Sequence, residues 1–104
     1  MQRFAFKMRL KPGNVDEYRR RHDALWPELR ALLHQSGVED YSIFFDEETS
    51  TLFAVQKQAG AVSSQDLGTN PVVRRWWDHM ADIMETNPDR SPVSIPLPEV
   101  FHLD

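Results

Sequence analysis

An α+β fold, one antiparallel sheet with helices on one of its faces, is what this 104-residue sequence predicts. Three observations carry that expectation. Residues 3–10 alternate, with Phe4, Phe6, Met8 and Leu10 on one side and Arg3, Ala5, Lys7 and Arg9 on the other, the period of a half-buried strand. Residues 14–35 and 71–84 carry apolar side chains at helical spacing. Residues 40–46 and 51–58 read as strands around a turn built on Asp46-Glu47-Glu48-Thr49-Ser50. With a final strand over Glu99-Val100-Phe101-His102-Leu103, the order is β-α-β-β-α-β, the split βαβ of ferredoxin-like folds.

Each element has its own signals. Lys11-Pro12-Gly13 ends the first strand, and Asn14 with Glu17 three residues later reads as a capping-box helix start. That helix carries Val15, Tyr18, His22, Leu25, Trp26, Leu29, Leu32 and Leu33 on its inner stripe, with Asp16/Arg20 and Glu17/Arg21 as favourable pairs outside. Pro27 kinks or restarts it, because proline removes one intrahelical hydrogen bond. Gly37 is a natural stop. Residues 59–70 are weakly patterned, with room for a short helix. Asn70-Pro71 opens the second long helix, a cap residue before a proline at the first helical position. Its inner stripe is Val72, Val73, Trp76, Trp77, Met80, Ile83 and Met84. Beyond Asn87-Pro88 the chain is rich in proline and polar residues.

A sheet with helices on one face leaves the other open. Phe44-Phe45 and Phe53-Ala54-Val55 are apolar on both faces, and Met8, Ile43 and Phe45 are too many for one small helix-side core. Both faces are therefore expected to be covered, by the tail, a ligand or, most simply, a second subunit in a homodimer.

Length and composition bound the function. A chain of 104 residues is a single domain, residues 1–104. Apolar and charged fractions of 40% and 27% are those of an ordinary globular protein. A net charge of −4 argues against nucleic acid or an anionic membrane as the partner. Without cysteine there is no disulfide, thiolate nucleophile or thiolate metal site. The alternating start is not a targeting peptide, and no apolar run approaches the ~20 residues that span a bilayer. The cytoplasm is the expected compartment. His22, His34, His79 and His102 lack metal-ligand spacing, so no metal is expected.

The residues that can carry chemistry lie on inward faces. Tyr18 and His22, four apart on one helix, return to the same side. A packing helix would place Leu or Val there. A phenol and an imidazole instead suggest the floor of a polar pocket, although a histidine satisfied at the core edge is the plainer reading. Imidazole titrates near ~6.5 and moves protons both ways at neutral pH. Tyr41 opens the second strand; alone, it reads as a sheet aromatic with its hydroxyl at the surface. Trp76 and Trp77 lie ~100° apart on their helix, so one points into the core and the other onto a flank. Tryptophan covers the flat apolar face of a sugar ring while donating one N–H. A broad core stripe would use the same residues. The Arg19-Arg20-Arg21 and Arg74-Arg75 runs read as solvated faces. The pocket is expected between the 14–35 helix, the sheet and the 71–84 helix.

The sequence resembles the L-rhamnose mutarotase family. The match is carried by Glu17-Tyr18-Arg19-Arg20-Arg21-His22 with Trp26-Pro27-Glu28-Leu29, then Tyr41-Ser42-Ile43, Arg75-Trp76-Trp77, and Asn87-Pro88-Asp89 with Ser91-Pro92-Val93-Ser94. These segments run nearly the full length in order; the match is poorest over residues 58–70. The resemblance implies a ferredoxin-like dimeric α/β barrel, active as a homodimer. The implied reaction is cofactor-free interconversion of the α and β anomers of L-rhamnose. By the same resemblance His22 stands at the family's proton-donor position, and Tyr18, Tyr41, Trp76 and Trp77 at its sugar-binding positions.

That chemistry agrees with the residues. Opening a hemiacetal needs a base on the anomeric hydroxyl and an acid on the ring oxygen, and neither a metal nor a redox group. Two other readings use the same features. A cofactor-free monooxygenase of the dimeric α/β-barrel type would line an aromatic pocket with Trp76, Trp77 and His22, and fold alone does not separate it from the mutarotase. A non-catalytic sugar-binding module would keep the aromatics but need no imidazole at position 22.

Overall fold

The computed structural model describes residues 1–104. Strand β1 (Gln2–Arg9) is followed by helices α1 (Val15–Asp23) and α2 (Pro27–Gln35), then by the hairpin of β2 (Val38–Asp46) and β3 (Thr51–Gln58). A 3₁₀ turn at Ser64–Asp66 leads into helix α3 (Pro71–Met80), and a short strand β4 (Ile95–Leu97) closes the sheet. Strand order is β2-β3-β1-β4 and every pairing is antiparallel, so the α+β, ferredoxin-like architecture holds.

The register decides what faces the helices. Phe6 lies opposite Ala54 and Met8 opposite Leu52, while Ile43 and Phe45 of β2 lie opposite the same two β3 residues. Side chains alternate across a strand, so all six share one face. The expectation that Met8, Ile43 and Phe45 would exceed one core is thus corrected. Ala54 is small and fully buried between Phe6 and Ile43, which relieves the crowding, and Ile43 and Phe45 remain half-buried at a cavity. Tyr18, Leu29, Val73, Trp76 and Met80 close the core from the helix side.

The opposite face is open. Phe44 is 63% exposed, its cross-strand partner Phe53 37%, and Ile95 of β4 50%. Apolar residues on both faces of β2 and β3 are therefore real, although the crowding argument for them fails.

Three local details differ from expectation. Asn14 does not cap α1; its amide donates to the carbonyls of Lys11 and Pro12 (3.1 and 3.2 Å), closing the turn before the helix. Arg20 pairs with Glu17 rather than Asp16, and Glu17 is shared with Arg21 (2.6 Å). The last strand is Ile95–Leu97, paired with Lys7, Phe6 and Ala5, and not 99–103. Pro98 offers no N–H to continue the ladder, and Val100, Phe101 and Leu103 stay exposed. Pro27 restarts the helix: Trp26 before it is extended (φ −61°, ψ 129°), as a residue preceding proline prefers. Asn70 caps α3 as expected, its Oδ1 accepting from the Val72 N–H at 2.9 Å. No helix is long and apolar enough to cross a membrane.

Candidate functional site

One helical turn separates Tyr18 from His22 on α1, and their rings stack with centroids 4.2 Å apart. His22 Nδ1 lies 3.0 Å from the Tyr18 carbonyl oxygen. Trp76 of α3 meets His22 edge-on at 5.4 Å, and Trp26, placed by the break between α1 and α2, meets Trp76 edge-on at 5.1 Å. His79 completes the aromatic wall, 5.5 Å from Trp76.

A cavity of about 1100 Å³ separates this wall from the sheet and is lined by Tyr18, His22, Tyr41, Ser64, Trp76 and Trp77, with Met8 and Leu52 among its apolar lining. It is open at one side and exceeds the needs of a single sugar ring. Every residue singled out in the sequence therefore reaches one cavity. Trp76 is buried in the core and Trp77 half-buried on the flank, the division that their ~100° separation demands. Trp77 also borders a second, polar cavity of about 480 Å³ with Gln58, Asn87 and Ser91. The Arg74 guanidinium lies over its ring at 5.7 Å.

The lining is mixed: beside the aromatic residues it carries charged side chains such as Asp16, Arg19, Asp23, Arg30, Asp40 and Arg90. Burial lowers the His22 pKa from the ordinary value of 6.5, outweighing the Tyr18 carbonyl and the Asp23 charge, which act in the opposite sense. Burial raises the Tyr18 hydroxyl, and it pushes Tyr41 up to about 12 against a hydrogen bond from Ser64. The Glu17–Arg21–Asp82 ion pairs stand apart from that lining. Arg21 bonds Glu17, reaches Asp82 with two nitrogens (2.8 and 3.1 Å) and donates to the His79 carbonyl (2.7 Å), tying α1 to the end of α3. It is far less solvated than the arginine run suggested.

The sequence reasoning missed a polar group on the sheet side. Gln56 of β3 is fully buried, and its amide bonds both the N–H and the hydroxyl of Ser64. Ser64 in turn approaches the Tyr41 hydroxyl at 3.5 Å. The available signal was position 56 itself, a glutamine following Leu52 and Ala54 on the core-facing phase of β3.

An aromatic-walled cavity that brings the His22 imidazole together with two phenols defines a small α+β protein suited to proton transfer on a polar, ring-shaped ligand. Comparison with known proteins narrows that class. The L-rhamnose mutarotase family model matches residues 3–103. The chain is 65% identical to the L-rhamnose mutarotase of Bacteroides thetaiotaomicron and 64% to that of Phocaeicola vulgatus, over the full length of each. The crystal structure of an L-rhamnose mutarotase from Formosa agariphila superposes with a TM-score of 0.93 at 58% identity, covering 100% of both chains. The chain belongs to the L-rhamnose mutarotase family, and it is an isomerase.

Proposed function

We propose that the large cavity binds L-rhamnose and that His22 moves the protons which interconvert its α and β anomers. The observation that carries this reading is the state of the imidazole. A carbonyl only accepts, so in the neutral ring Nδ1 holds the proton and donates to the Tyr18 carbonyl. Nε2 is left as the basic atom, on a ring held by its stack with Tyr18 and its edge contact with Trp76. Nε2 takes the proton of the anomeric hydroxyl as the ring opens. The freed aldehyde rotates, and the imidazolium returns the proton when the ring closes on the other face. Tyr18 and Tyr41 supply hydroxyl partners, while Trp76 and Trp77 cover the apolar faces of the sugar.

Anomerisation already proceeds in water, so positioning and one general acid–base group give a sufficient rate gain. Polar groups from three elements, Tyr18 of α1, Tyr41 of β2 and Ser64 of the 3₁₀ turn, favour a polyhydroxylated ligand over the flat aromatic substrate of a monooxygenase. Saturation-transfer NMR with L-rhamnose tests the reading directly. Catalytic amounts of the protein should speed exchange between the two anomeric proton signals. Exchange no faster than in buffer would overturn it.

We also propose that the active form is a homodimer joined through the open sheet face. The exposed Phe44, Phe53 and Ile95 support this, since adjacent apolar residues on a sheet face gain stability when covered.

A further inference from the structure

We infer that Ser64, clamped by Gln56, is a positioning residue that aims the Tyr41 hydroxyl as a hydrogen-bond donor into the sugar cavity. The inference deepens the function proposed above and rests on it.

The chain of bonds has a direction. Gln56 is 0% exposed, and its position on the core-facing phase of β3 is one where an aliphatic residue would pack without needing partners. Both ends of its amide go to one residue. Oε1 accepts from the Ser64 N–H at 2.9 Å, and Nε2 donates to Ser64 Oγ at 2.8 Å. The first bond fixes which end of the amide is which, so the second must be a donation to Oγ. The Gln65 side-chain amide donates to the same oxygen at 3.3 Å. A serine hydroxyl has two acceptor sites and one proton. With both acceptor sites filled, the proton is left for the next oxygen, and that oxygen is the Tyr41 phenol at 3.5 Å. The phenol that accepts it keeps its own proton for another partner.

Tyr41 and Ser64 both line the large cavity. Ring opening needs a proton donor at the ring oxygen as well as a base at the anomeric hydroxyl. The Tyr41 hydroxyl meets the first need and His22 Nε2 the second. As the bond from the anomeric carbon to the ring oxygen breaks, the ring oxygen takes the Tyr41 proton and Nε2 takes the hydroxyl proton. Closure reverses both transfers, so no other reactant is consumed. The bond from Ser64 stabilises the phenol oxygen as negative charge grows on it. The 3.5 Å separation is long for a hydrogen bond, and catalytic contacts often tighten only when substrate is bound.

The loop is built to hold this geometry. Ser63 Oγ accepts from the Gln65 N–H (3.1 Å) and Asp66 Oδ2 accepts from the Ser63 N–H (2.9 Å), a reciprocal capping box that closes the start of the turn carrying Ser64.

The test is a double-mutant cycle read by rhamnose anomer exchange in the full-length protein. Ser64→Ala should lower kcat about tenfold with KM nearly unchanged, the signature of a misaligned donor. Tyr41→Phe should lower kcat further. In the Tyr41→Phe background, Ser64→Ala should add little, because the group it positions is already gone. Circular dichroism checks folding, and Ser64→Gly removes the same hydroxyl without added volume if Ser64→Ala unfolds. An unchanged kcat in the serine variant, or a full tenfold further loss in the Tyr41→Phe background, would overturn the inference while leaving the mutarotase reading intact. Failure of the parent protein to exchange the anomers would remove both.

Discussion

His22 Nδ1 lies 3.0 Å from the carbonyl oxygen of Tyr18, one turn earlier on the same helix. This backbone contact fixes the tautomer of the imidazole without any carboxylate. A carboxylate partner would stabilise the imidazolium and raise the pKa; a neutral carbonyl does so only weakly, and here burial wins. The ring rests as a base, the state in which an approaching anomeric hydroxyl must find it.

A pH profile follows from the direction of that shift. With the folded pKa of His22 below the ordinary 6.5, the neutral base persists under slightly acidic conditions. The acid limb of kcat/KM for anomer exchange should therefore fall below pH 6.5. Stability moves in the same sense. A depressed histidine pKa contributes stability that is present above the unfolded value and is lost as pH falls through the folded one. Exchange rates and the His22 ring resonances followed between about pH 4 and 8 give both quantities. An acid limb above 6.5 would mean that the Tyr18 carbonyl and the Asp23 charge together outweigh burial.

Rate and binding should separate between His22 and Trp76. His22→Ala should slow exchange by about 10²–10⁴-fold, the usual worth of a general acid–base group, with rhamnose affinity nearly intact. Trp76 belongs to the core cluster, so Trp76→Ala should weaken sugar binding and also cost about 3–5 kcal/mol of stability. Denaturant unfolding and rhamnose titration, run on both variants, separate the two effects. A His22→Ala protein that folds normally and exchanges at full rate would make the imidazole structural, and Tyr18 would then be the remaining candidate on that wall.

The helix side of the site was legible in the sequence because periodicity speaks about faces. Tyr18 with His22, and Trp76 beside Trp77, declare by spacing alone that aromatic and titratable groups share an inward stripe. The sheet side was not. Ser64 comes from a 3₁₀ turn of three residues, too short to have a period, and its importance depends on a bond to Gln56 eight positions away. The last strand was misplaced for a related reason. Glu99–Leu103 contains strand-forming residues, but pairing is decided by which segment reaches the free edge of β1, and Ile95–Leu97 reaches it first. Local pattern carries the amphipathic elements, while contacts made by loops depend on where the folded chain brings them.

Gly68 sets the position of Trp77, and a methyl group there should move it. A Cβ at Gly68 would lie 2.7 Å from Trp77 Cζ3 and 3.0 Å from Cη2, closer than carbon atoms approach. The indole is rigid, so the whole ring must swing between the two cavities it borders. Gly68→Ala should therefore raise the rhamnose KM several-fold while kcat at saturation changes little, because the wall holding His22 is untouched. Tryptophan fluorescence should report the altered ring environment. Equal losses in kcat and kcat/KM would instead make Trp77 part of the transition-state machinery.

The oligomeric state is the last outcome, and one side chain on the open face decides it. Phe44 and Phe53 are cross-strand partners, directly opposite on neighbouring strands, with Ile95 on the same face beyond Lys7. Sedimentation at micromolar concentration should give twice the 12.1 kDa chain mass. Phe44→Glu should give the chain mass alone. At 63% exposure Phe44 contributes little to the fold of one chain, so the substitution leaves secondary structure intact. Two facing copies would, however, have to bury two unpaired carboxylates, a penalty of several kcal/mol for each charge taken out of water. The aromatic wall of the cavity lies on the helix side of the sheet, and Phe44 reaches only the lining along β2, so residual exchange by the monomeric variant measures how far one chain suffices. A parent protein sedimenting as a monomer would remove the dimer. A Phe44→Glu protein that still sediments at twice the chain mass would move the interface away from this face.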